Sequence, residues 1–240
     1  MLLLLHFSLN RKDECMNYIT GYVKLSETAS RDNILLQQIR CGRCHIVLAC
    51  VCDGGVIGAN ITKQMKLWMA ERGAELLGKK ADDKKIRVEL EHRLTDWQTD
   101  VRTWQTAEER SAHGNQIVGK SQLNLSGILI VDQDCWLLQG GESCILLMNR
   151  KFQRTNRRLL SETFYPDWQV TEARIQKNVG ILLGRKEFIQ AIPIETMMQC
   201  LAVQDINREE QIERRLAEMA EESRRQGYQG ECSAVYLKSV

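Results

Sequence analysis

This 240-residue sequence has few prolines, no long apolar run and almost no excess of either charge. With only 2 prolines, 43% hydrophobic residues and 6% aromatic residues, the composition excludes a disordered or collagen-like chain. The most apolar run, residues 1–5, is far shorter than a bilayer core requires. The 33 basic and 31 acidic residues leave a net charge of +2, which provides no general attraction to nucleic acid or to an anionic membrane. We therefore expect neither of these as a partner.

Secretion signals are scarce as well. No basic residue precedes the first apolar run and no small-residue cleavage site follows it, so we expect residues 1–16 to be an extension of one domain at 17–240. The nine cysteines are odd in number and lack the dense, even spacing of a disulfide scaffold. A reducing compartment, the cytoplasm, is the predicted location.

Strand-like and helical patterns are grouped along the chain. Apolar and β-branched runs predict strands at 17–25, 33–40, 44–52, 121–131, 135–139, 143–149, 179–183 and 232–238. Apolar spacings of three and four predict helices at 58–78, 82–110, 194–201 and 207–226. Because regular βαβ alternation is absent, the pattern predicts an α+β fold with antiparallel sheets covered by helices. The first two helices should cover one outer face and the last helix the other.

A cysteine cluster in the predicted hairpin raises the possibility of a zinc site, formed by Cys41, Cys44, Cys50 and Cys52 with His45. Residues on one strand rise by about 3.3 Å each, which puts Cys44 and Cys50 roughly 20 Å apart. Such a separation excludes a metal ion shared by these two residues. Cys41 and Cys44 could share one, but they lack a second pair of ligands. We expect these cysteines to alternate with inward-facing residues, to be chemically inert and to bind no zinc.

Common hydrolase signatures are missing. The sequence contains no G-x-S-x-G, H-E-x-x-H or P-loop motif, and its four histidines are scattered. The most suggestive position is Asp53, which follows a buried apolar strand and precedes Gly54. A strand-end aspartate is often a turn residue, but burial of a carboxylate is costly unless the group is paired or bound to a metal. Asp53 is therefore a candidate site residue.

An ordered set of short motifs extends over residues 17–240: Ser30–Asn33, Val51–Gly55, Gly119–Ser121, Gly141–Ser143, Leu182–Phe188 and Gly230–Val235. In this order the set resembles the metal-dependent protein phosphatase 2C family. The resemblance implies an αββα sandwich of two antiparallel sheets flanked by helices. It also implies a two-metal site at one edge, where metal-bound water attacks a phosphoserine or phosphothreonine ester.

Only part of the family's ligand set is matched. Asp32, and Asp53 with the Gly54 carbonyl, match metal-binding positions. The aspartate expected after the strand at 179–183 falls on Lys186.

The remaining acidic positions also differ. The aspartate expected near the C-terminus falls on Gly230, with Glu231 beside it as a displaced substitute. Glu142 replaces the aspartate of a Gly-Asp-Ser motif.

Charge decides how the substitutions are interpreted. A lysine about 4 Å from a divalent cation would repel it by roughly 8 kcal/mol at an effective dielectric of 20. We expect the Lys186 ammonium to lie near Asp53 or Asp32 and to take the place of a cation. The resemblance then favours a pseudophosphatase with a vestigial metal site, no cofactor and no catalytic residue. Its partner would be a protein, such as a phosphoprotein or a kinase-pathway component.

Two alternatives stay open. An active serine/threonine phosphatase would use Mn²⁺ or Mg²⁺ held by rearranged ligands drawn from Glu187, Glu231 and Glu142. An N-terminal nucleophile hydrolase has a similar sandwich but requires an exposed nucleophile, for which Cys15 is the candidate. An intact mass without cleavage would exclude the second alternative.

Overall fold

Nine strands and five α-helices make up the part of the chain that the computed structural model describes, residues 16–25, 33–41, 44–53, 55–73, 83–112, 123–149 and 169–240. The strands are β1 (Tyr18–Leu25), β2 (Asn33–Cys41), β3 (Cys44–Asp53), β4 (Asn124–Val131), β5 (Asp134–Gly140), β6 (Ser143–Asn149), β7 (Gln169–Arg174), β8 (Val179–Arg185) and β9 (Cys232–Ser239). The helices are α1 (Gly55–Trp68), α2 (Asp83–Ala112), α3 (Lys186–Gln190), α4 (Ile194–Cys200) and α5 (Glu209–Arg225). A π-helical turn, Met69–Gly73, continues α1, and a 3₁₀ turn, Val203–Asp205, precedes α5.

The strands form two sheets. One has the order β1-β9-β8-β6 and the other β2-β3-β4-β5-β7. Every strand pair is antiparallel. The α+β sandwich predicted from the sequence is confirmed.

Apolar residues alternate between an inner layer and two outer layers. On β3, Val47 and Val51 face the inner layer between the sheets, where they join Ile181 and Leu183 of β8. Cys50 and Cys52 of β3 face outward instead, in the cluster covered by α1 and α2. A second outer cluster lies between the four-stranded sheet and α5.

Helical periodicity explains how the covering helices pack. The buried residues of α1 recur every three or four positions, at Ile57, Ile61, Met65 and Trp68. Trp68 meets Trp97 of α2 edge to face, with ring centroids 5.6 Å apart. On the opposite face, α5 buries an equivalent stripe: Ile212, Leu216, Met219 and Ser223. Both helical faces lie where the sequence pattern placed them.

Some details differ from the sequence analysis. β7 and the short helix α3 were not predicted. The helix expected to reach 78 is described to Gly73, and the expected start of the fourth strand, 121–122, lies outside the described residues. Met16, assigned to the extension, is buried between the sheets. Among the described helices, none has the length and apolarity to cross a membrane.

Cys50 and Cys52 of β3 alternate with the inward-facing Val47 and Val51, as expected. Burial raises the pKa of the Cys50 thiol to about 12, which keeps it protonated and unreactive at neutral pH. The side chains of Cys41 and Cys44 lie outside the described residues, so the zinc hypothesis is addressed only at Cys50 and Cys52.

Candidate functional site: an arginine among three carboxylates

Asp53 is the last residue of β3 and follows the buried apolar run of that strand. Residues 46–52 of this strand are at most 2% exposed, whereas the Asp53 side chain is 20% exposed. The residue pairs in register with Asn124 at the start of β4. The carboxylate therefore lies at one edge of the sandwich, at the end of the inner layer.

Arg185 comes to the same edge from the other sheet. It is the last residue of β8, and it continues the inward alternation of Ile181 and Leu183. Its Nη2 lies 3.3 Å from Oδ2 of Asp53, so the ion pair joins the ends of β8 and β3. The arginine thus links the two sheets at their shared edge.

Two glutamates complete the arrangement. Nε of Arg185 lies 3.7 Å from Oε2 of Glu187, in the first turn of α3, and Nη1 lies 3.8 Å from Oε2 of Glu231, just before β9. Asp53, Arg185, Glu187 and Glu231 are named the Arg185 cluster below. Its three acids and one base sum to a charge of −2. One guanidinium therefore contacts carboxylates from three separate segments of the chain.

Partial burial makes these contacts stronger than ordinary surface ion pairs. The side chains of Arg185 and Glu231 are 22% and 15% exposed, and only Glu187, at 42%, faces solvent substantially. Charges in such a setting are screened less by water and salt than charges on an open surface. The guanidinium suits this role because its planar fork presents several donors in different directions.

A layer of buried polar side chains lies behind the cluster. Ser143 pairs in register with Arg185 across β6 and β8, and Ser126 pairs with Gln139 across β4 and β5. Two hydrogen bonds cross between the sheets: Ser126 Oγ donates to the Gly184 carbonyl at 3.2 Å, and Gln139 Nε2 donates to the Ser143 carbonyl at 3.2 Å. This edge is therefore closed by polar bridges instead of apolar packing.

Three atoms of this layer are unsatisfied. Gln139 Oε1, Ser143 Oγ and Ser233 Oγ are buried and find no hydrogen-bond partner among the described residues. Unsatisfied buried groups cost stability, so polar residues here are not explained by packing alone.

Lys186 was expected beside Asp53 or Asp32, and only Asp53 lies among the described residues. No ion pair joins Lys186 to Asp53 in the described part of the chain, and the partner of Asp53 is Arg185. β8 extends two residues beyond the predicted end at 183, to Arg185, and Lys186 begins α3. The resemblance places the family's aspartate at Lys186, and the residue before it, Arg185, is the one that pairs with Asp53.

Gly230 and Glu231 behave differently from one another. A Cβ at Gly230 would lie 2.4 Å from the Tyr228 hydroxyl and 2.5 Å from its ring carbon Cζ, so any larger side chain requires that ring to move. Glu231, next in sequence, brings its carboxylate to Arg185. The Tyr228 hydroxyl also donates to the Glu231 carbonyl at 3.1 Å, which holds this segment in place.

Glu142 lies apart from the cluster. It is exposed, and within the described chain no ion pair connects it to Arg185. Its backbone N–H donates to Oδ1 of Asn124 at 2.7 Å. Gly141 before it has a φ of +59°, and a Cβ there would meet Asn124 Oδ1 at 2.3 Å. This turn fixes Asn124 beside Asp53. Asp32 and Gly54 lie outside the described residues.

Among the described residues, the donor set of the Arg185 cluster does not fit a divalent metal ion. Carboxylate–metal distances are about 2.1 Å for Mg²⁺, so an ion on Asp53 would lie roughly 4 Å from the guanidinium. The repulsion between them would be about 8 kcal/mol at an effective dielectric of 20. Among the described residues, no group of three or more histidines, cysteines, aspartates or glutamates is arranged to hold a metal.

Sequence reasoning missed Arg185 and the polar layer. Inward alternation from Ile181 and Leu183 would have identified Arg185 as the next inward side chain. No comparable signal identified Ser143 or Gln139, because single polar residues in a strand are common.

Comparisons with known proteins found no match by sequence but several matches by fold. No family model matches the sequence, and no curated protein matches it either. Solved structures do match. Stp1 from Staphylococcus aureus, a serine/threonine phosphatase, aligns with a TM-score of 0.59 at 10% identity over 92% of this chain and 94% of its own.

Two further structures agree. The phosphatase domain of SpoIIE from Bacillus subtilis aligns with a TM-score of 0.53 at 11% identity, over 94% of this chain and 93% of its own. The catalytic domain of the serine/threonine protein phosphatase PstP, solved with two manganese ions, aligns with a TM-score of 0.54 at 14% identity, over 94% and 98%. Together with the two antiparallel sheets and their flanking helices, these alignments show that the chain has the fold of phosphatase 2C-type serine/threonine phosphatase domains.

Proposed function

We propose that this protein is a pseudophosphatase, a phosphatase 2C-like domain that acts by binding a protein partner and does not hydrolyse phosphate esters. One observation carries the proposal: a guanidinium occupies the position between Asp53, Glu187 and Glu231. A two-metal mechanism needs carboxylates that are free to bind cations. Here the carboxylates already have a cation from the protein itself. No resident metal is proposed.

The charge of the cluster bears on the partner. Among the described residues, three carboxylates against one arginine leave a net charge of −2, which repels a phosphate group at this position. The proposed partner is therefore a protein that binds at another surface, or one whose own basic side chains contact the Arg185 cluster. A phosphoprotein or kinase-pathway component would bind without placing its phosphate in the cluster. The proposed setting is the cytoplasm.

A second function has specific support. Glu187 and Glu231 both lie within 3.8 Å of the same guanidinium, so rotation of Arg185 away from them would leave two carboxylates near Asp53. An active Mn²⁺- or Mg²⁺-dependent serine/threonine phosphatase would use such rearranged ligands. Glu142 contributes little to this alternative, because it is exposed and forms no ion pair with the cluster among the described residues.

Turnover of phosphorylated substrates separates the two functions. The unmodified protein is assayed on a chromogenic phosphate ester and on phosphoserine and phosphothreonine peptides, with Mn²⁺, with Mg²⁺ and with chelator. The pseudophosphatase proposal expects the rate to equal that of the Asp53→Asn variant under every condition. Metal-dependent turnover that the Asp53→Asn substitution abolishes would establish the active phosphatase instead.

A further inference from the structure

We infer that Arg185 is a built-in counter-ion, a guanidinium that holds three carboxylates together and takes the electrostatic place of a divalent cation in keeping the fold closed at this edge. The inference deepens the proposed function and rests on it, because it explains why a site without metal can persist in the fold. The inference predicts that Arg185 contributes to the stability of the fold, which does not follow from the absence of hydrolysis alone.

The geometry indicates a counter-ion that serves several segments. Three different nitrogens of one guanidinium face three carboxylates, from the end of β3, the start of α3 and the segment before β9. The distances of 3.3–3.8 Å are typical of ion pairs, and two of them are too long for good hydrogen bonds. The attraction is therefore mainly Coulombic, as it would be for a bound metal ion.

Removal of the guanidinium would leave three carboxylates close together without a positive charge between them. Asp53, Glu187 and Glu231 would then repel one another at a partly buried edge where water screens them incompletely. Two relief routes are available, partial opening of the edge or capture of a cation from solution. Arg185→Gln should take the second route when Mn²⁺ is supplied.

The polar layer behind the cluster makes the effect local to this edge. Ser126 and Gln139 bridge the two sheets directly below Arg185, so an opening there would also break two buried hydrogen bonds. The opposite edge has no equivalent dependence on this arginine. A charge change at that edge therefore provides a matched control.

Thermal unfolding with Mn²⁺ or with chelator tests the inference. Arg185→Gln should unfold about 5 °C below the unmodified protein in chelator, and 1 mM Mn²⁺ should recover half or more of that loss. The unmodified protein should not respond to Mn²⁺, and neither should Arg185→Lys, which retains the positive charge. Arg174→Gln removes an exposed arginine at the far end of the five-stranded sheet and should also show no Mn²⁺ response.

A charge-compensated variant distinguishes the counter-ion from simple packing. Arg185→Gln combined with Glu231→Gln removes one charge of each sign, so it should be more stable than Arg185→Gln alone and should lose most of the Mn²⁺ response. If Arg185→Gln fails to fold, the double variant should still fold. Failure of both would overturn the inference, because the guanidinium would then matter for packing.

Other results would overturn it as well. The first is that Arg185→Gln is as stable as the unmodified protein. The second is that Mn²⁺ does not change the unfolding midpoint of Arg185→Gln. Either of these leaves the proposed function standing if the unmodified protein is inactive. Metal-dependent hydrolysis by the unmodified protein would instead overturn the proposed function, so the two failures are distinguishable.

Discussion

The two ends of strand β3 close the same sandwich by different chemistry. At the start of the strand, His45 is buried, its backbone N–H donates to Asp132 Oδ1 at 2.9 Å, and its Nε2 lies 3.0 Å from Oε1 of Gln38. The Tyr18 hydroxyl donates to the Asp132 carbonyl at 2.5 Å. Arg40 also donates to His45 Nε2 at 3.5 Å and to the Tyr18 carbonyl at 3.4 Å, so this His45 end is held by hydrogen bonds to both neutral and charged groups. At the other end, the Arg185 cluster brings four charged groups together.

The difference shows where function can reside in this fold. Burial favours the neutral form of His45 and raises the pKa of Tyr18 far above its ordinary value, so neither group gains a charge easily. The His45 end is thus a structural closure. The Arg185 end retains charges that pair with one another, so we expect a change of one residue there to alter what the edge can bind.

The largest expected effect concerns the turn that supports the Arg185 end. Gly141→Ala should lower the free energy of unfolding by roughly 3 kcal/mol, because a residue with a φ of +59° is strained and its Cβ would meet the Leu123 carbonyl oxygen at 2.6 Å. Denaturant unfolding measures the change. Gly227→Ala is the matched control: this glycine also has a positive φ, of +88°, but a Cβ there meets nothing within 4 Å. Equal losses in both variants would show that backbone strain alone is responsible.

A double-mutant cycle measures how strongly the charged end is coupled. Arg185→Gln and Asp53→Asn, singly and together, should give a coupling energy of about 1–2 kcal/mol, because both side chains are about four-fifths buried. The comparison pair is Arg174 with Gln133, an exposed contact of 2.8 Å at the opposite end of the five-stranded sheet, where about 0.5 kcal/mol or less is expected. A coupling energy no larger at Arg185 than at Arg174 would remove the distinction between the two ends.

The smallest effect is a pH dependence at the His45 end. Burial, and then the nearby Arg40 charge, lower the pKa of His45, while Asp132 opposes them. The unfolded chain therefore binds more protons below pH 6.5, the ordinary value, and stability should fall as the pH drops from 6.5 towards the folded-state pKa. Well above pH 6.5, where the histidine is neutral in both the folded and the unfolded state, it contributes no slope.

His45→Gln checks that prediction through unfolding midpoints measured at several pH values. The variant should lose part of the decline between pH 6.5 and 5, whereas His92→Gln, a change at an exposed residue of α2, should leave the decline intact. Identical pH profiles for His45→Gln and the unmodified protein would mean that His45 is not the group responsible.

The sequence alone predicted the layers well. Spacings such as Ile212, Leu216 and Met219 on α5 indicate a single buried face, and β3 is apolar enough to be identified as a central strand. Asp53 was correctly placed at the end of that strand. These features depend on local pattern, which the chain carries residue by residue.

Features that depend on the exact ends of strands or on the pairing of strands were harder to predict from the sequence. Assignment of the cation to Lys186 instead of Arg185 was an error of one residue, but such an error reverses which face a strand residue occupies. β7 escaped detection because Gln169–Arg174 carries few apolar residues and becomes a strand through pairing with β5. The steric role of Gly230 against Tyr228 depends on a ring position that no sequence pattern encodes.

The central claim is that the protein's own guanidinium stands where a divalent cation would otherwise be held. Calorimetric titration of the unmodified protein with Mn²⁺ tests this most directly. The account predicts no saturable binding heat up to millimolar Mn²⁺, and the same result for the Arg174→Gln control. Saturable binding of two ions by the unmodified protein, abolished by Asp53→Asn, would contradict it.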